Sequence, residues 1–264
     1  MNASSRIANH DHAASAGRAA LLAAQSIARR YGAFEALAET TLSIGVGEIV
    51  ALVGANGCGK STLLRALAGI ADGSGAVLLD GRATTREAAA RVRAFVPQRP
   101  EVAADFTARE VVELGRIARG SDPGAVDLAL AAVGLSARAE RPVRLLSGGE
   151  RQRVAVARAL AQIDGAERPL LLLDEPFSGI DPGEVARIVA ALRALATRGA
   201  VVLSLHEPGL ARAVATRALV MRGGRVIADG SARGTLTAEI LSEAYGHPMV
   251  ESVGWLAPDL DGRG

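Results

Sequence analysis

Short apolar runs recur along this chain, and each one stops at glycine or at polar residues. Glu48–Val53 becomes wholly apolar after its first residue and then meets Gly54. Leu170–Leu173 is four leucines closed by Asp174-Glu175-Pro176, and Ala200–Leu205 is closed by His206. Runs of this length, rich in Val and Leu and lacking polar alternation, predict strands buried on both faces. Further strands are predicted at Leu21–Ala28, Thr40–Ile44, Ala76–Gly81 and Arg93–Val96, with Tyr31 in a turn after the first. Leu219–Ile227 predicts a hairpin turning at Gly223-Gly224. Helical spacing is expected at Ser61–Gly69, from Thr107 to about Gln162 with breaks at Gly120–Gly124 and Pro142, and at Gly183–Thr197. Strands alternating with helices imply an α/β fold with a parallel sheet, crossovers and a helical insert.

The organisation follows from these patterns. Residues 1–17 are polar and Ala/Ser-rich and read as a disordered tail, residues 18–235 as the main domain, and residues 236–264 as a C-terminal extension with a short helix. The helical insert spans about residues 99–162. The tail has no apolar segment of the kind a secretory leader needs. Its His10-Asp11-His12 is a weaker metal-ligand reading than a loose tail. No apolar run approaches the length of a membrane span, so a soluble or peripheral protein is expected.

Composition narrows the classes. With 264 residues and 49% hydrophobic content the chain can bury a sizeable core, and at 3% aromatics that core is built from Ala, Leu and Val. The formal charge is only +2, and arginine is scattered without interleaved aromatics, which argues against a nucleic-acid surface. The single cysteine, Cys58, excludes an internal disulfide and a cysteine-based zinc site and suits a reducing compartment. It reads as a small filler.

One residue type stands apart. Lysine and arginine total 30, and Lys60 is the only lysine. It closes Gly54-Ala55-Asn56-Gly57-Cys58-Gly59-Lys60-Ser61, which fits the phosphate-binding loop pattern G-x-x-x-x-G-K-[ST] and is followed by Thr62. Successive N–H groups of such a loop line an anion site, and the following helix adds its positive end. A compact ammonium on a flexible stem suits that site, where a planar guanidinium would need more room.

Other residues complete the chemistry. Ligands of open α/β sheets bind beyond the carboxyl ends of the strands. Asp174 ends the leucine run and is placed to hold Mg²⁺ opposite Ser61, and Glu175 to orient or deprotonate water. His206 leaves the same sheet edge and is placed for a terminal phosphate. Gln98 also follows a strand, where it can reach metal or water. Leu146-Ser147-Gly148-Gly149-Glu150 contains a capping box, Ser147 with Glu150, opening a helix over Arg151–Ala161. The cap does not account for two glycines in the first turn, so this segment reads as a second anion site remote from Lys60.

Taken in order, the phosphate loop, Gln98, Leu146–Glu150, Asp174-Glu175, Ser178-Gly179-Ile180-Asp181 and His206 resemble an ATP-binding cassette (ABC) ATPase over about residues 20–235. The resemblance implies an α/β P-loop NTPase core, an N-terminal antiparallel β subdomain and an inserted α-helical subdomain. It implies ATP and Mg²⁺, with Glu175, His206, Lys60 and Gln98 catalytic and Ser61, Gln98 and Asp174 near the metal. It gives Tyr31 the role of stacking on adenine. It also implies a head-to-tail homodimer in which Ser147, Gly148 and Gly149 cap the γ-phosphate held by the other copy, with Asp181 communicating across it. Ile180 and Glu207 depart from the family's usual leucine and aspartate. Partners implied are two transmembrane permease subunits and, indirectly, a periplasmic or lipid-anchored binding protein, with the chain peripheral on the cytoplasmic face of the membrane.

Phe106–Arg116 and Leu236–Gly246 are similar to importers of metal chelates, and Gln162–Pro169 to haem and cobalamin import ATPases. Glu175–Asp181 and Val96–Arg99 look more like zinc or manganese importers. The segment after Gln98, through Thr107–Arg119, is expected to carry the coupling surface.

Overall fold

The computed structural model describes residues 20–70, 73–100 and 105–250. The tail with His10-Asp11-His12, the Glu101–Ala104 part of the expected coupling segment and the end of the C-terminal extension lie outside the described residues.

Two sheets organise the fold. Strands β1 (Leu22–Tyr31), β2 (Phe34–Ile44) and β4 (Ser74–Leu79) form an antiparallel sheet in the order β2-β1-β4. Strands β3 (Ile49–Val53), β5 (Arg93–Val96), β6 (Leu170–Asp174), β7 (Ala200–Ser204), β8 (Arg217–Arg222) and β9 (Arg225–Ser231) form the main sheet, in the order β5-β6-β7-β3-β8-β9. Every pairing in it is parallel except that of β8 with β9. The hairpin turns at Gly223-Gly224, both at positive φ (53° and 78°), the geometry that matches strand twist in a two-residue turn.

The main sheet is covered on both faces, as the unbroken apolar runs require. Every residue of β3, β6 and β7 is buried. Alternate side chains feed two cores, because successive residues of a strand point to opposite faces. Val50, Leu52, Leu170, Leu172 and Val202 meet the antiparallel sheet and helix α1 (Lys60–Leu67). Ala51, Val53, Leu171, Leu173, Val201 and Leu203 meet the helical side of the molecule. Truncating one of these leucines to alanine costs about 2–5 kcal/mol.

The helical insert comprises α3 (Ala108–Leu114), α4 (Pro123–Ala132), two short 3₁₀ turns and α5 (Gly148–Ile163). The first break comes earlier than predicted, over residues 115–122, with Gly124 inside α4 because Pro123 opens that helix; the second is longer than a break at Pro142, running over residues 133–147 through the two 3₁₀ turns. Helix α6 (Pro182–Ala196) is the crossover between β6 and β7. Helices α2 (Arg86–Ala90), α7 (Pro208–Val214) and α8 (Ala232–Thr235) were not predicted, and α9 (Ala238–Tyr245) is the short helix expected in the extension. Tyr31 is the last residue of β1 rather than a turn residue, because the chain reverses at Gly32 and Ala33 and pairs Tyr31 with Phe34.

Candidate functional site

Four neighbouring parallel strands deliver the chemistry to one edge. The phosphate loop leaves β3, His206 follows β7, Asp174 and Glu175 end β6, and Gln98 follows β5. A cleft of about 320 Å³ opens there, lined by Tyr31, Phe34, Ala36, Asn56, Gly57, Gly59, Lys60, Ser61, Thr62, Gln98, Glu175 and His206. The phosphate loop, Gln98, Glu175 and His206 thus share one surface because the sheet order makes β5, β6, β7 and β3 adjacent, and Tyr31 and Phe34 reach it from the antiparallel sheet.

The phosphate loop is held by its neighbours. A Cβ at Gly54, which sits at φ 150°, would lie 2.2 Å from the Met221 carbonyl oxygen and 2.9 Å from Cys58 Sγ, so no other residue fits. Cys58 is buried and fills that corner, as read from sequence. Its carbonyl accepts from Gly224 N–H at 2.9 Å, and the Gly224 carbonyl accepts from Ala38 N–H at 2.9 Å. The hairpin turn therefore buttresses the loop and ties it to β2. Lys60 is only 5% exposed. Its Nζ donates to the carbonyls of Gly54 (2.7 Å) and Ala55 (3.0 Å) and lies 3.9 Å from Cys58 Sγ.

The acids differ in their surroundings. Asp174 is buried, accepts from Ser204 Oγ at 2.6 Å through Oδ1, and leaves Oδ2 buried with no hydrogen-bond partner. A buried carboxylate oxygen lacking a donor is costly unless a cation answers it. An unanswered carboxylate oxygen fits Mg²⁺, a hard cation that prefers oxygen ligands; Asp174 itself does not line the cleft, whereas Ser61, in the first turn of α1, does. Glu175 has a positive φ of 49°, uncommon outside glycine. Ser204 Oγ also accepts from Glu175 N–H at 2.9 Å and so fixes that turn. The carboxylate of Glu175 is engaged at both oxygens, by Gln98 Nε2 at 2.7 Å on Oε2 and by His206 Nε2 on Oε1.

At the outer rim Tyr31 is 48% exposed and Phe34 64% exposed, and the Arg29 guanidinium lies 4.7 Å from the Tyr31 ring centroid. That geometry is a cation–π contact.

Ser147, Gly148 and Gly149 do not line this cleft. The capping box is present in full: Ser147 Oγ accepts from Glu150 N–H at 3.2 Å, and Glu150 Oε2 accepts from Ser147 N–H at 2.7 Å. The Ser147 N–H bond holds the Glu150 carboxyl below its ordinary range, against the opposing effect of burial, and Arg138 assists. The two glycines differ. A Cβ at Gly149 would lie 2.4 Å from the Gly179 carbonyl oxygen, so that glycine has a packing reason within one copy. Gly148 faces open space, and only there does the fold leave the glycine without a steric reason.

Sequence reasoning missed Phe34 and Ser204. Phe34 sits beside Tyr31 across a tight turn. Ser204 is the one polar residue in the otherwise apolar β7, and a lone hydroxyl in a strand buried on both faces is itself a signal. Among the described residues no cluster of three or more His, Cys, Asp or Glu could hold a metal ion.

Comparison with known proteins agrees with this geometry. The ABC transporter family profile matches residues 37–178. A hemin import ATP-binding protein of Nocardia farcinica is 44% identical over 224 residues, covering 81% of this chain and 76% of the relative. A cobalamin import ATP-binding protein of Halobacterium salinarum is 42% identical, covering 77% of this chain and 53% of the relative. Among solved structures, an inward-facing metal-chelate type ABC transporter superposes with a TM-score of 0.72 at 28% identity, covering 87% of this chain and 90% of that one. With its phosphate loop, buried acid and capped glycine pair, the chain belongs to the ABC transporter family as one of its ATPases.

Proposed function

We propose that this chain is the ATP-hydrolysing subunit of a bacterial importer for haem. The observation that carries the cargo is the similarity to hemin import ATP-binding proteins over most of both chains. Cobalamin is the second reading, favoured by the relative of that name. The zinc or manganese reading, drawn from Glu175–Asp181 and Val96–Arg99, rests on sequence likeness in those two segments.

In this reading Lys60 gives up its loop carbonyls for the β- and γ-phosphates, and the loop N–H groups and the start of α1 take the remaining charge. Tyr31 stacks on adenine, with Arg29 against the ring. Ser61, Asp174 and Gln98 would hold Mg²⁺, which would supply charge neutralisation at the transferring phosphate. Glu175 takes a proton from the attacking water. Both of its oxygens are engaged, so one must be released first; Gln98 and His206 are both exposed, and in this reading it is His206 that turns toward the γ-phosphate. The exposed first turn at Ser147–Gly149, lying outside the cleft, serves the nucleotide of a second copy.

Among the described residues no helix is long and apolar enough to cross a membrane. Peripheral attachment on the cytoplasmic face, to two permease subunits supplied by a binding protein, follows from the importer reading. Phe106, Leu114 and Ile117, on and beside α3, are each exposed, Ile117 at 80%, and in this reading they meet a permease segment.

Uptake of labelled haem tests the cargo. Cells whose only copy carries Glu175→Gln should lose haem uptake and keep zinc and manganese uptake. Intact haem uptake with loss of cobalamin uptake would select the second reading, and loss of zinc or manganese uptake would overturn both.

A further inference from the structure

The chain has two tyrosines, and both approach the site. Tyr31 comes from the antiparallel sheet. Tyr245 comes from the C-terminal extension, which the catalytic assignments above do not use. It ends helix α9, whose start is capped by Thr237 and whose Leu241 and Ala244 are buried in the larger core. Gly246, at φ 66°, terminates the helix, and Met249 N–H donates to Ser242 Oγ at 2.8 Å, folding the following chain back onto it. The tyrosine is thus presented by an anchored element.

Its hydroxyl donates to the main-chain carbonyl of His206 at 3.2 Å. The same phenol feels the phosphate loop. Burial raises its pKa above the ordinary value, the Cys58 thiol adds to that, and the Gly54 N–H opposes it. Gly54 directly follows β3, and His206 lies two residues beyond β7, its hydrogen-bonded neighbour. Tyr245 therefore sits where the first glycine of the phosphate loop and the histidine's main chain come together. It does not line the cleft and touches no reacting group.

We propose that Tyr245 is a positioning residue, which fixes the His206 main chain relative to the phosphate loop and so makes the C-terminal helix part of the hydrolytic assembly. The imidazole can then hold Glu175, or turn to phosphate, from a fixed base. Without the hydroxyl, the His206 carbonyl loses this hydrogen bond, and the ring samples more orientations. Positioning losses of this kind act on turnover more than on substrate binding.

This inference rests on His206 serving hydrolysis. The test uses the full chain and compares wild type, Tyr245→Phe and His206→Ala. Phenylalanine keeps the ring packed and removes only the donor. With one hydrogen bond lost, kcat should fall about three- to ten-fold in Tyr245→Phe while KM for MgATP stays within about two-fold. The His206 ring resonance, identified by its absence in His206→Ala, should shift or broaden in Tyr245→Phe. An unchanged resonance with unchanged kcat overturns the proposal, and so does a loss of kcat that merely tracks lost thermal stability with the resonance in place. If His206→Ala itself turns over normally, the histidine's role fails, and the proposal with it. A dead His206→Ala beside a normal Tyr245→Phe removes the tyrosine's role alone.

Discussion

Glu175→Gln should bind ATP as wild type does and lose turnover by about 10²–10⁴-fold, the range a positioned general base supplies. The substitution keeps shape. The side-chain oxygen of glutamine can still accept from Gln98, and its amide can face His206, so the two contacts made by Glu175 survive in outline. The backbone is also kept, because the hydrogen bond from residue 175 N–H to Ser204 Oγ does not involve the side chain. What disappears is the capacity to take a proton from water. ATP should then persist, and a nucleotide-bound dimer should accumulate on size-exclusion chromatography. Phosphate release at the wild-type rate would remove Glu175 from the chemistry.

Lys60→Arg should weaken nucleotide binding by at least about ten-fold although charge is kept, because a fork of five donors cannot replace a point charge in a closed loop. The structure gives this physical content. Nζ is buried, within 3.0 Å of two loop carbonyls, with Cys58 Sγ at 3.9 Å. Gly54 is itself confined by the Met221 carbonyl and Cys58. A guanidinium must displace that packing or leave the loop for solvent, and either outcome moves the charge away from the phosphates. Calorimetric titration with ATP reads the change. Equal affinities would mean that the chain's single lysine is incidental.

The site residues were legible where sequence position and strand ends coincide. Arg93–Val96 and the leucine run are strands as predicted, and the sheet edge that collects Gln98, Glu175 and His206 follows from parallel strands ending in polar residues. What was illegible depends on long-range contact. Helix α7 begins at Pro208-Gly209, a pair that reads as a turn; yet proline is at home in the first helical turn, and Leu210, Ala211 and Val214 bury the helix's face. Helix α2 is five residues long with Thr85 as its cap and buries only Ala89, too short to show a helical period. The packing reason for Gly149 lies 30 residues away at Gly179, so no local pattern could distinguish it from Gly148. The link from Tyr245 to His206 joins two segments that neither spacing nor composition relates.

Tyr31 lines the cleft but is not the turn residue that the sequence suggests. Its aromatic ring between Arg30 and Gly32 suggested a turn, but the two-residue reversal falls one position later and leaves it on the strand. The placement matters, since a strand end paired with Phe34 holds the ring at the cleft rim more firmly than a loop would.

In the function proposed here, hydrolysis needs two copies, each supplying what the other lacks. The cleft around Lys60 contains no residue of Ser147–Gly149, and Gly148 faces open space. Ser147→Arg blocks the exposed helix start, and Lys60→Ala disables the phosphate loop. Each protein alone should be inactive, because every composite site then carries a defect. Mixed, a heterodimer carries one site with an intact loop from one copy and an intact helix start from the other. ATPase activity measured on the mixture, at concentrations where wild type is active, should therefore reappear. A mixture as inactive as its components would contradict the composite site, and full activity of Ser147→Arg alone would show that the loop needs nothing from a second copy.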